Sequence, residues 1–154
     1  MDLILWRHAE AEVAPEGGDD LSRELTKKGQ RQATRMANWL DRHLPEGTRV
    51  LVSPSVRTQQ TVAPLGRKFK LRDELVPETS VADVLTLLKW DATTGPQLKG
   101  PVLLVGHQPY LGQLVAQLLG MKEDVCPVRK GGVWWLRTRI RDGQPQTVLL
   151  TVAC

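Results

Sequence analysis

Three places in the chain put side chains suited to anion chemistry directly after a short apolar run. Leu3-Ile4-Leu5-Trp6 leads into Arg7-His8, Val50-Leu51-Val52 into Ser53-Pro54-Ser55-Val56-Arg57, and Val102-Leu103-Leu104-Val105 into Gly106-His107. A guanidinium offers a two-pronged clamp for oxyanions, phosphate above all. An imidazole can act as nucleophile or proton carrier near neutral pH. Taken singly, each site reads equally well as a strand end that happens to carry polar residues. Together they point to one location: open α/β sheets bind ligands beyond the carboxyl ends of their strands. Parallel strands share that edge, so Arg7, His8, Arg57 and His107 can converge there as a phosphate site.

The elements needed for this are present in the pattern. Apolar runs of four residues without turn residues suit strands buried on both faces. Residues 9–24 are polar, contain Pro15 and Gly17-Gly18, and read as a long loop that could cover whatever His8 binds. Leu25 to Leu44 follows helical spacing through Ala33, Met36, Ala37, Leu40 and Leu44, with Thr26 as a cap. Arg49 to Ser53 is a second strand. Ser53 as N-cap and Pro54 at the first helical position start a helix that places Arg57 about one turn in. Pro64 ends or kinks that helix, with 65–70 a candidate continuation. Leu71 to Val76 reads as extended, Ser80 to Trp90 as a helix, 91–100 as a loop and Pro101 to Gly106 as a strand. A helix through Leu111, Leu114, Val115, Leu118 and Leu119 stops at Gly120. Gly132 to Ile140 and Thr147 to Val152 form a hairpin turning at Asp142-Gly143. Alternating strands and helices imply an α/β fold: a three-layer α/β/α sandwich with a mostly parallel central sheet, formed by a single domain over residues 1–154.

Composition narrows the function classes. Hydrophobic content of 41% and charged content of 25% are those of an ordinary globular protein. No apolar stretch reaches membrane-span length and the start does not read as a signal peptide, so the expectation is a cytoplasmic protein without membrane association. Cys126 and Cys154 form no CxxC, so neither a zinc site nor a disulfide framework is expected. The net charge of +4 raises nucleic acid as a partner. The distribution argues against it, because residues 10–24 hold six acids against one Arg23 and the cations are scattered. Lys27, Lys28, Arg31 and Arg35 form one basic group, explained either as solvated surface or as a face for an acidic phosphoprotein. His43 reads as a surface or capping residue at a helix end. Most of the five tryptophans suit core packing, and Trp6 is a candidate for the pocket floor.

Four segments, in order, resemble the histidine phosphatase superfamily, the phosphoglycerate-mutase-like fold. They are Arg7-His8-Ala9; Leu25-Thr26-Lys27-Lys28-Gly29-Gln30-Arg31-Gln32-Ala33; Ser53-Pro54-Ser55-Val56-Arg57-Thr58-Gln59-Gln60-Thr61; and Val105-Gly106-His107. Each is weak alone and their conjunction is specific. The short chain, Arg-His-Ala where the wider family has Arg-His-Gly, Gly106-His107-Gln108-Pro109 and Lys130-Gly131-Gly132 are similar to the compact SixA-type branch of protein phosphohistidine phosphatases. Ala9 adds a methyl group where backbone and phosphate come close.

The resemblance implies phosphoryl transfer in two steps without metal or cofactor. His8 is the implied nucleophile. Arg7 and Arg57 clamp the equatorial oxygens, and His107 donates to the phosphoryl group. Glu78 lies where larger members carry a general acid, and a surface carboxylate explains it as well. Imidazole, with a pKa near 6.5, leaves far more readily than an alkoxide, so a phosphohistidine substrate lessens the need for that acid. The expected partner is a phosphorylated histidine-containing protein, such as a phosphotransfer domain. A phosphate or sulfate anion should occupy the pocket, and the protein should be a monomer. A small-molecule phosphomonoesterase and a non-catalytic phosphoprotein-binding module are the alternatives.

Overall fold

The computed structural model describes residues 1–154. Its centre is a six-stranded sheet in the spatial order Lys70–Leu71, Arg49–Val52, Val102–Gly106, Asp2–Arg7, Val133–Arg141, Gln144–Ala153. The strands are β1 (Asp2–Arg7), β2 (Arg49–Val52), β3 (Lys70–Leu71), β6 (Val102–Gly106), β7 (Val133–Arg141) and β8 (Gln144–Ala153). β3, β2, β6 and β1 run parallel, and β7 and β8 join antiparallel at one edge. Leu3 to Trp6 and Val102 to Gly106 are buried throughout, as the apolar runs require of strands covered on both faces. A small hairpin, β4 (Trp90–Asp91) with β5 (Gly95–Pro96), stands apart from this sheet.

Helices cover both faces. α1 (Lys27–His43) and α2 (Val56–Val62) pack on one side, where Met36, Ala37, Leu40 and Val62 meet Ile4, Trp6, Val52 and Val105. α3 (Val81–Leu87) and α4 (Tyr110–Leu119) pack on the other, where Val84, Leu111, Leu114 and Val115 meet Leu3, Leu5, Val102 and Leu104. Alternate residues of each strand serve the two cores, as the period of a strand dictates. This is the expected three-layer arrangement. No helix is long and apolar enough to cross a membrane.

Several boundaries differ from the sequence expectation, each for a local reason. The second helix is capped by Ser55, whose hydroxyl accepts from the Thr58 N–H at 3.3 Å. Ser53 is therefore not the cap, and Arg57 is the second helical residue rather than one turn in. Residues 65–70 do not resume the helix, because Gly66 at φ 69° closes a single 3-10 turn, Ala63–Leu65. Leu71 to Val76 is extended only at its start; β3 ends at Leu71 and a 3-10 turn follows at Asp73–Leu75. The third helix stops at Leu87, since Lys89 adopts φ 51° and Trp90 enters β4. The Asp142-Gly143 turn is as expected, both residues having positive φ, and β8 is longer than the pattern suggested.

Gly29 explains one of the sequence motifs physically. A Cβ at this position would lie 2.0 Å from the Glu10 carbonyl oxygen, so only glycine lets α1 press against the chain leaving β1. The clash is with backbone and cannot be relieved by a rotamer. Gly29→Ala should therefore cost about 2 kcal/mol and lower Tm by about 6 °C in thermal unfolding.

Candidate active site

The three strand exits meet as the topology demands. The His8 N–H donates to the Gly106 carbonyl at 3.1 Å, locking the ends of β1 and β6 together. The Gly131 N–H reaches the carbonyls of Arg7 (3.1 Å) and His8 (2.9 Å). Trp6 Nε1 donates to the Gly131 carbonyl at 3.2 Å, so the buried indole holds the 128–132 segment over the end of β1. The Ala9 N–H donates to Thr61 Oγ1 (3.0 Å), and that hydroxyl donates to the Arg57 carbonyl (2.7 Å). The Ala9 methyl is buried beside Leu25 and Ala33. Gln32 Oε1 accepts from the Glu10 N–H (3.0 Å) and Gln60 Oε1 from the Leu25 N–H (2.7 Å). The glutamines and threonine of the motifs thus position the loop on either side of His8.

The two imidazoles are neighbours, with ring centroids 5.2 Å apart and planes tilted by 56°. His8 Nδ1 lies 2.7 Å from the Ala9 carbonyl oxygen. A carbonyl only accepts, so Nδ1 carries the hydrogen and Nε2 keeps a free lone pair. His107 is fixed by the same logic. Its Nδ1 is 3.4 Å from Arg57 Nη2, which only donates, so Nε2–H donates to Ser53 Oγ at 2.8 Å. Both rings are held neutral. Burial, then the guanidiniums of Arg57, Arg7 and Arg23, push His8 down to about 4 despite the opposing bond to Ala9. Burial, then the neighbouring Arg57, push His107 down to about 2.

Arg7 Nη1 donates to the Val128 carbonyl at 2.8 Å. Arg57, only 3% exposed, donates from Nη1 to the Asp20 carbonyl (2.7 Å) and from Nη2 to Asp20 Oδ2 (3.1 Å). Burial lowers both guanidiniums from the ordinary arginine value, the Asp20 carboxylate opposing this at Arg57. The Nε atoms of Arg7 and Arg57 are buried without a hydrogen-bond partner in the chain. Buried donors of this kind are uncommon and call for a partner. Cations that outnumber carboxylates, beside a free imidazole lone pair, suit a tetrahedral oxyanion.

All four expected residues, Arg7, His8, Arg57 and His107, are therefore brought together. Glu78 is exposed and makes no side-chain hydrogen bond. Its segment is tied toward the site through the Tyr110 hydroxyl, which donates to the Leu75 carbonyl at 2.7 Å and whose ring lies 6.1 Å from that of His107. Sequence reasoning missed Asp20 and Arg23. The 9–24 loop does reach the site, through Asp20, and Arg23 Nε lies 3.3 Å from Asp20 Oδ1. The one signal was Arg23 as the single cation in an acidic run. Ser53 was noticed, but as a cap instead of the partner of His107.

The tautomers yield a titration test. An ordinary imidazole is mostly cationic at pH 5.5. Ring-nitrogen NMR of the free protein should find His8 and His107 neutral there, with His8 protonating only near its value of about 4. Both values lie below those of the unfolded chain, so unfolding takes up protons in this range. The stabilisation is complete above about pH 6.5 and is lost as pH falls from there, toward about 4 for His8 and toward about 2 for His107.

A phosphate-type cradle of two arginines and two histidines at the carboxyl edge of an α/β sheet is the arrangement of one class of phosphoryl-handling proteins. The chain belongs to the histidine phosphatase superfamily (branch 1), whose family model matches residues 3–80. Among individual proteins it is similar to the phosphohistidine phosphatase SixA homolog of Haemophilus influenzae, 33% identical over 81% of each chain. It is also similar to phosphohistidine phosphatase SixA of Escherichia coli, 35% identical over 77% of this chain and 74% of the relative. A solved structure of the protein histidine phosphatase SixA complexed with tungstate superposes with a TM-score of 0.75 at 26% identity, covering 99% of this chain and 96% of the other.

Proposed function

We propose that the protein hydrolyses phosphohistidine on other proteins through a phosphorylated His8. The observation that carries this is the His8 tautomer: Nδ1–H is held by the Ala9 carbonyl, so the Nε2 lone pair is available beside two buried guanidiniums. In the first step Nε2 attacks phosphorus, the phosphorus–nitrogen bond of the substrate breaks, and the leaving imidazole takes a proton from solvent or from Glu78. In the second, water attacks phospho-His8, releasing inorganic phosphate and restoring the ring. Arg7 and Arg57 hold the phosphoryl oxygens and offset the charge of the transition state. The bound anion supplies the negative charge that lets His107 take up a proton at Nδ1 and donate in turn. The names of the similar proteins, phosphohistidine phosphatases, support the choice of substrate, and the tungstate complex of the similar structure supports an oxyanion in the cradle. Glu78 is the candidate acid, with a lesser role than in an esterase because imidazole leaves readily.

The test compares wild-type rates on a histidine-phosphorylated phosphotransfer domain with those on a panel of sugar phosphates and nucleotides. The proposal expects the domain to be preferred by kcat/KM. Turnover confined to the metabolites would replace it with a small-molecule phosphomonoesterase. Phosphate binding without turnover of anything would make the chain a binding module.

A further inference from the structure

We infer that the exposed face of α1 is the docking surface for the substrate protein, and that the partner presents an acidic patch to it. This rests on the phosphohistidine reading above. Lys27, Gln30, Arg31, Thr34, Arg35 and Asn38 line a shallow open groove along this helix. Eleven residues of helical rise make it about 16 Å long. The groove begins beside the site. Thr26, the cap of α1, donates through its N–H to the Glu10 carbonyl (3.0 Å) and through its hydroxyl to Glu10 Oε2 (2.7 Å). Gln32 holds the Glu10 N–H, and Glu10 is two residues past His8.

The charges on this face do not serve the helix. Residues 27–40 carry Lys27, Lys28, Arg31 and Arg35 and no acid. The positive end of the helix dipole disfavours cations in the first turn, where α1 has no acidic residue. Lys27, Arg31 and Arg35 follow one another at i, i+4, where like charges repel. None of the four has a carboxylate within ion-pair distance; the chain's ion pairs are made by Arg23, Arg57, Arg67, Arg72 and Arg137. A row of cations that opposes its own helix and lacks internal counter-ions is matched by an external anionic surface. The neighbouring loop is acidic, with Glu12, Glu16, Asp19, Asp20 and Glu24 exposed, so an acidic partner is attracted to one flank and repelled by the other. That asymmetry orients it as it approaches His8.

The test is the triple variant Lys27→Glu, Arg31→Glu, Arg35→Glu, none of which belongs to the catalytic group. Its control is Arg49→Glu, Lys68→Glu, Lys70→Glu, an equal charge change on a second cationic groove at the amino-terminal end of β2, away from the strand exits. Two probes are used, an acidic phosphotransfer domain phosphorylated on histidine and the small molecule N-phosphoimidazole. At low salt the α1 variant should lose about tenfold or more in kcat/KM on the domain and stay within about twofold on N-phosphoimidazole. The control should keep its rate on the domain. An α1 variant with an unchanged rate on the domain overturns the docking surface, as does an equal loss on both probes or an equal loss in the control. A wild-type enzyme that hydrolyses N-phosphoimidazole and ignores the domain overturns instead the functional reading on which the surface rests.

Discussion

His8→Ala should abolish turnover, with kcat reduced by about 10⁴-fold or more, while inorganic phosphate still binds within about tenfold of wild type. The split follows from the geometry. His8 supplies the atom that forms the bond, and its ring makes one hydrogen bond in the chain, to the Ala9 carbonyl. Losing it removes the nucleophile and little of the scaffold. Arg7, Arg57 and His107, which hold the anion in this account, keep their own supports in the Val128 carbonyl, the Asp20 backbone and carboxylate, and the Ser53 hydroxyl. Steady-state kinetics and phosphate titration on the same preparation check both halves. A variant that loses phosphate binding as well would mean that His8 organises the cradle instead of reacting in it.

Arg57→Lys should lower kcat/KM by about 10²-fold, even though the charge is kept. A guanidinium presents donors in a rigid fork, and here that fork already holds two acceptors of the 9–24 loop, the Asp20 carbonyl and the Asp20 carboxylate. A lysine ammonium is a single point of donation and cannot serve both and a phosphoryl oxygen. Arg57→Ala should cost about 10³-fold and should also raise the pKa of His107, because the cation that disfavours its protonated form is gone. Kinetics on the two variants, with ring-nitrogen NMR of His107, separate lost clamping from lost tuning. Equal activity for lysine and arginine would show that charge alone matters at this position.

The central sheet and the convergence of four side chains were legible because they rest on strong, local signals. Apolar runs of four residues bounded by polar or turn residues suit an interior strand buried on both faces, and strands so placed deliver Arg7, His8 and His107 to one edge. Arg57 followed because its helix begins just past β2. The details that failed were those decided by tertiary contact. A serine ahead of a helix looks like a cap whether it is Ser53 or Ser55, and only the position of His107 shows that Ser53 is engaged elsewhere. The helical spacing of Val81, Val84, Leu85 and Leu88 carries the helix reading on to Trp90, yet the chain turns at Lys89 to pair Trp90 with Pro96. Asp20 was one acid among six in a loop, and nothing local marks it as the partner of an arginine 37 positions away.

The covalent phospho-His8 intermediate is the most direct mark of the mechanism. A histidine-phosphorylated domain carrying radiolabelled phosphate, mixed with enzyme, quenched in alkali within milliseconds and separated from it, should leave label on the enzyme. Peptide mapping should place it on His8, and the adduct should survive alkali and be lost in acid. Label on another residue, or full turnover with no label trapped at any time, would contradict nucleophilic attack by His8 Nε2.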